Sequence, residues 1–181
     1  MLTKLTVTMM QTTMQRKQKN RTQFILLSVL LMTVIGLFAF TLQPTPAPGV
    51  SVKTITNKTI DLKQLHGKVV LITFWASNCP SCLKEIAHFK RLYNDYHKSS
   101  GLEIIAIAMH YDRPNYVVDT SKNYQIPYDI VLDLNNRLAI AFGDVSLTPT
   151  TFLINPKGEI AFQTTGTFDL RDMQVRIESM L

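Results

Sequence analysis

The sequence predicts an α/β domain, a central mixed sheet flanked by helices, behind a single transmembrane helix. Three observations carry this. The apolar, β-branched run VVLITFW (69–75) leads directly into a helical pattern over 83–96, and LEIIAIAM (102–109) leads into another over 114–124. The chain then ends in a strand–turn–strand and an amphipathic helix, an antiparallel finish to an alternating βα pattern. Ahead of the domain lie 19 residues without a charge, 24–42.

Residues 1–23 form a short basic tail, in which Lys4, Arg16, Lys17, Lys19 and Arg21 precede the apolar run and no acid occurs before Asp61. As a helix, 24–42 spans about 28 Å, close to the roughly 30 Å hydrocarbon core of a bilayer. The next twenty residues hold Lys53 and Lys58 as their only cations. The positive-inside rule therefore places the tail in the cytoplasm and everything after Gln43 outside. No small-x-small cleavage site stands between Ala39 and Pro48, so the segment reads as an uncleaved anchor. Residues 43–49 (QPTPAPG), with three prolines and a glycine, read as a stiff extended spacer, and the globular domain as 50–181.

Composition narrows the function. The 181-residue chain is 46% hydrophobic and 18% charged, which fits a folded protein. Of its net +6, five cations belong to the tail; the remainder has 14 Lys+Arg against 13 Asp+Glu. A basic nucleic-acid-binding face is not supported. Two cysteines are also too few for a disulfide-stapled scaffold.

Within the domain, 50–55 and 59–62, separated by Thr56-Asn57-Lys58, predict a hairpin. Leu65-His66-Gly67-Lys68 turns into the run 69–75, apolar enough for a central strand buried on both faces. Pro80 suits the first turn of a helix, and Leu83, Ile86, Ala87, Leu92, Tyr93 and Tyr96 mark one face of it. A buried strand over 102–109 precedes a helix over 114–124, with Val117, Val118 and Tyr124 inward. A short strand (130–132) and a short helix (137–142) follow. Segments 150–154 and 159–164 flank the turn Asn155-Pro156-Lys157-Gly158. The last helix, 169–180, offers Leu170, Met173, Val175, Ile177 and Met180 as its apolar positions.

The chemistry concentrates in Trp75-Ala76-Ser77-Asn78-Cys79-Pro80-Ser81-Cys82, which holds both cysteines of the chain. A Cys-x-x-Cys between a strand and a helix is the arrangement of a thiol–disulfide exchange site. The attacking species is a thiolate. At a helix N-terminus Cys79 meets unpaired N–H groups and the positive end of the helix dipole, both of which favour ionisation. Cys82, one turn further in, fits the resolving role that releases a mixed disulfide. A structural staple is disfavoured, because closing so short a loop constrains the unfolded chain little. Zinc needs about four ligands, and His66, His88, His97 and His110 show no ligand spacing, so no metal or other cofactor is expected.

FWASNCPSC followed by Leu83-Lys84-Glu85 resembles the active-site segment of the thioredoxin superfamily. With the preceding hairpin, Gly67-Lys68-Val69-Val70, the loop Thr148-Pro149-Thr150 entering a hairpin, and the anchor, the chain resembles the membrane-anchored TlpA/ResA-type thiol:disulfide oxidoreductases of bacteria. The resemblance covers about 50–181. It implies a thioredoxin-like fold and a redox-active Cys79–Cys82 disulfide. It also implies a cis-proline at Pro149 facing the cysteines, a Thr148 backbone that pairs with extended substrate, and Trp75 packed beside the site. Glu85 matches an acidic residue of this branch; three positions after Cys82, it lies on the same side of the helix and can move a proton. Two departures from thioredoxin proper stand out. Thr73 replaces a buried aspartate, which shifts proton handling towards Glu85, and Asn78 replaces the tryptophan before the first cysteine, which changes the partner surface.

The resemblance further implies a domain on the outer side of the bacterial inner membrane that reduces protein disulfides. Electrons would come from a membrane donor of the CcdA/DsbD kind, and a substrate would be the haem-binding cysteine pair of an apocytochrome c during cytochrome c maturation. A disulfide-forming oxidase is the nearest alternative, since the same dithiol runs either way according to its potential. A peroxiredoxin-like thiol peroxidase fits less well, because Ala76 stands where a threonine would position the peroxide. A Sco-like copper-delivery protein would have three residues between its cysteines and a histidine near the proline loop, whereas no His follows His110 here.

Overall fold

The computed structural model describes residues 26, 28–34 and 44–181. Two compact units divide the chain, 1–43 and 44–181. In the first, residues 26 and 28–34 are helical, and Leu26, Leu30, Leu31 and Met32 are all exposed. Among the described residues no helix is long and apolar enough to cross a membrane. Most of the expected anchor, 24–42, lies outside them.

The second unit is built on a six-stranded sheet: β1 (Thr45–Pro46), β4 (Val70–Trp75), β5 (Glu103–Ala108), β6 (Asp129–Leu132), β7 (Thr150–Ile154) and β8 (Glu159–Thr165), in the order β1-β8-β7-β4-β5-β6. β4, β5 and β6 are parallel, while β7, β8 and β1 add antiparallel. β4 lies between β5 and β7, and all six of its residues are buried. Alternation along it sorts the core. Val70, Ile72 and Phe74 face one side with Ile105, Ile107 and Phe152, whereas Leu71 and Trp75 face the other with Ile104, Ala106 and Leu153.

Helices cover both sides. Helix α1 (Pro80–Ser100), with Phe89 and Leu92 buried, shares one layer with Val117 of α2 (Pro114–Asn123) and with Met173 and Ile177 of α4 (Leu170–Glu178). Each such apolar side chain contributes roughly 1.5–3 kcal/mol by leaving water. The other layer takes Leu138 and Ala139 of α3 (Arg137–Ala141) together with Val52 and Ile60 from the hairpin of β2 (Ser51–Lys53) and β3 (Thr59–Asp61). That hairpin closes the β6 edge, where Thr54 bridges Val131 and the Ile55 N–H donates to the Ile130 carbonyl. The expected α/β architecture is present, with the strands of the predicted runs.

Three expectations are corrected. Segment 43–49 is not a free spacer: Thr45 and Pro46 pair with Ile160 and Glu159, and the Ala47 N–H donates to the Gly158 carbonyl, so the folded unit begins at Pro44. Proline is tolerated there because β1 is an edge strand. Tyr124 is 41% exposed; it caps the end of α2, beyond the turn that faces the core. Val175 is 57% exposed. Met173 and Ile177 are one turn apart on the buried face, and a residue midway between them falls on the opposite side of the helix.

Candidate active site

The site forms where β4 ends and α1 begins. Pro80 opens the helix, and the residue before it supplies the cap: Cys79 Sγ accepts from the Cys82 N–H at 3.3 Å, the place a serine or aspartate oxygen usually takes. The Cys79 sulfur is thus the capping atom of a 21-residue helix, at the positive end of its dipole. Far from the site, Gly101 ends the helix at φ 74°, a left-handed backbone that suits glycine.

Cys79 and Cys82 are disulfide-bonded, with Cα atoms 5.3 Å apart. Their surroundings differ. Cys79 is half-buried, with Ser81 Oγ 3.2 Å and the Thr148 carbonyl oxygen 3.7 Å from its sulfur. Cys82 is 4% exposed. The Thr148–Pro149 peptide is cis, as the resemblance implied, and Pro149 lines the space behind the disulfide.

That space is a narrow cleft lined by Thr73, Trp75, Cys82, Glu85, Tyr128 and Pro149, among others. Its water-accessible space of about 10 Å³ is at the lower limit for one water molecule. Four of the six expected site residues (Trp75, Cys82, Glu85 and Pro149) therefore meet at one cleft, and the other two, Cys79 and Thr148, are joined to it through the disulfide and the cis peptide and contact each other. Trp75 Nε1 has no hydrogen-bond partner among the described residues.

Glu85 is only 1% exposed. The Phe168 N–H donates to Oε1 at 2.9 Å, and Oε2 has no partner among the described residues. Burial pushes its carboxyl up to about 7, against a smaller downward pull from the Phe168 N–H. Such a group changes protonation near neutral pH, as an acid–base partner must. Burial, and secondarily the charge of Glu85, also raise the Tyr128 hydroxyl. Where thioredoxin has its aspartate, Thr73 accepts from the Thr151 hydroxyl at 3.2 Å, a neutral pair that leaves Glu85 as the carboxylate of the cleft.

Two further residues hold the site without having been expected. Asp112 takes both donors of Ser77: the backbone N–H donates to Oδ2 at 2.5 Å and the hydroxyl to Oδ1 at 2.7 Å. Phe168 reaches Glu85 from 83 residues away in sequence. Neither contact has a local sequence signal.

Residues 44–163 match the AhpC/TSA family. The chain is 32% identical over 162 residues to the thiol-disulfide oxidoreductase ResA of Bacillus subtilis, covering 83% of this chain and 88% of that protein. Its fold is similar to that of a thiol:disulfide interchange protein of the thioredoxin family from Chlorobium tepidum (TM-score 0.69, 26% identity, 76% of this chain and 97% of that one). It is also similar to StoA from Bacillus subtilis (TM-score 0.61, 28% identity, 72% and 98%). With a Cys79–Cys82 disulfide at a helix N-terminus, a cis-proline beside it and these relatives, the chain belongs to the thioredoxin-like AhpC/TSA family and, within it, to the ResA-type thiol:disulfide oxidoreductases.

Proposed function

We propose that this enzyme is a membrane-tethered, extracytoplasmic reductase of protein disulfides. Cys79 is the attacking thiol and Cys82 the resolving one. In the forward direction the Cys79 thiolate attacks a substrate disulfide, forming a mixed disulfide and releasing one substrate thiolate. Cys82 loses its proton and displaces the second substrate sulfur; the enzyme leaves as the Cys79–Cys82 disulfide and the substrate as a dithiol. Glu85, lining the cleft with Cys82, accepts that proton. Trp75, Thr148 and Pro149 form the wall against which an extended substrate lies.

The observation that carries the reducing direction is the buried Glu85 carboxyl beside Cys82. Strong oxidants of this fold owe their potential to a stabilised reduced form with a low thiol pKa. Glu85 works against such stabilisation at Cys82: until it takes up a proton its charge disfavours a Cys82 thiolate, so the reduced form gains no second stabilised thiolate. Residues 24–42 serve as the anchor, on the strength of their length and the basic tail before them, and hold the domain on the outer side of a bacterial inner membrane. There the disulfide regains electrons from a membrane thiol carrier of the CcdA/DsbD kind. Protein disulfides are the substrates, the haem-binding cysteine pair of an apocytochrome c among them.

The test is the reduction potential of the full-length protein in thiol–disulfide buffers. A value near that of thioredoxin, about −270 mV, is expected; a value near about −120 mV makes the protein an oxidase and overturns the reading.

A further inference from the structure

The loop that presents Cys79 is held from outside its own strand and helix. After β4 the chain runs through Ala76, Ser77 and Asn78 before the cap, and the Cys79 N–H donates back to the Ala76 carbonyl at 3.1 Å. After β5 a second loop runs alongside: the Met109 N–H donates to the Trp75 carbonyl at 3.0 Å, and the Asp112 N–H to the Met109 carbonyl at 2.9 Å. This brings the Asp112 carboxylate to Ser77, where each oxygen takes one donor of the same residue, Oδ2 the backbone N–H and Oδ1 the hydroxyl. A two-point, charge-assisted grip fixes orientation as well as distance. Ser77 lies two residues before the reactive sulfur, and Asn78 between them is exposed.

We propose that Asp112 is a positioning residue for Cys79. Its grip on Ser77 sets where the sulfur sits relative to the Cys82 N–H, the Ser81 hydroxyl and the Thr148 carbonyl, and so sets how well the Cys79 thiolate is stabilised. The proposal rests on Cys79 being the attacking thiol, but its readout does not depend on the direction of electron flow.

Two effects of Asp112 have opposite signs, which makes the proposal decidable. As a nearby negative charge it raises the thiol pKa, so its removal lowers that value. As a clamp it keeps the sulfur at the hydrogen-bond donors of the cap, so its removal raises it. The substitution Asp112→Asn separates the two. Its amide oxygen still accepts the Ser77 N–H, and the Ser77 hydroxyl can accept from its NH2, so both contacts survive while the charge is lost. Glu85 on α1, with His110 and Arg113 beside Asp112 in sequence, stays the same in every variant.

The experiment is the pH dependence of Cys79 alkylation by iodoacetamide in the reduced full-length protein, with the labelled cysteine identified by mass spectrometry. Asp112→Ala is expected to raise the midpoint by about one pH unit, the scale of one lost charge-assisted hydrogen bond. Asp112→Asn should stay within about 0.3 unit of the parent, and Ser77→Ala, which keeps only the backbone contact, should rise by about half a unit. Equal lowering in both Asp112 variants would show that the carboxylate acts through its charge and overturn the proposal. A folded Asp112→Ala with an unchanged midpoint also overturns it. If Asp112→Ala does not fold, the Ser77→Ala shift decides, and its absence counts against the clamp. Failure of the proposed function shows elsewhere, in the potential and in which cysteine holds a partner.

Discussion

Two carboxylates are buried in this domain, one on each side of the sheet, and they have opposite surroundings. Asp133, 2% exposed, follows β6 and accepts from the Leu138 N–H with both oxygens at 3.1 Å and from the Ala139 N–H at 2.9 Å. It caps α3, and its charge is met by donors that the helix start leaves unpaired. Glu85, 1% exposed, has one donor and one oxygen with no partner among the described residues, in a cleft shared with Cys82. Burial is common to both, so burial alone does not distinguish them. What differs is satisfaction: Asp133 stabilises a local turn of backbone, while Glu85 keeps one oxygen without a partner among the described residues and its carboxyl is raised by burial, as the proposed proton-transfer role requires.

The largest expected effect separates them by pH. Glu85 lies at about 7 in the fold against an ordinary value of 4.5. Between those values the folded state holds a proton that the unfolded chain has lost, so stability declines as pH rises through that window and levels off above about 7. The decline amounts to about 3 kcal/mol. Denaturation of oxidised wild-type protein and Glu85→Gln at about pH 4 and about pH 8 should show the stability difference between the two changing by that amount in favour of the variant at high pH. The same substitution should slow disulfide exchange at neutral pH by about tenfold or more, by removing the acceptor for the Cys82 proton. A stability difference that stays flat with pH would mean that Glu85 is as well satisfied as Asp133, and the contrast would fail.

A smaller effect is expected at the other carboxylate. Asp133→Ala leaves the first N–H groups of α3 unpaired and should cost about 2 kcal/mol in urea denaturation. Disulfide exchange by the folded fraction should remain within about twofold of wild type, because no atom of Asp133 lines the cleft. Loss of exchange without loss of stability would place Asp133 in the machinery and break the comparison from the other side.

The sequence carried the parts that depend on local pattern. Strand β4 was legible from its unbroken β-branched run, α1 from Pro80 and the spacing of Ile86 and Leu92, and the dithiol from two cysteines at the strand–helix junction. Glu85 could be placed on the side of Cys82 by helical spacing, but not buried, because that depends on Phe168 and the layer formed by α4. Asp112 was invisible for the same reason, since its partner is 35 residues earlier and the two meet only because β4 and β5 are neighbours. The prolines of 43–49 misled: they suggested a free spacer, whereas Thr45 and Pro46 add to the open edge of β8. Local propensity does not report an available edge.

The central claim is that the half-buried Cys79 meets the partner and the buried Cys82 releases it. The most direct test is to express Cys82→Ala and Cys79→Ala separately as full-length proteins, quench with acid, and identify disulfide-linked partners by mass spectrometry. The account predicts mixed disulfides on Cys79 in Cys82→Ala and few or none in Cys79→Ala. Partners held through Cys82 in Cys79→Ala, with none in Cys82→Ala, would contradict it.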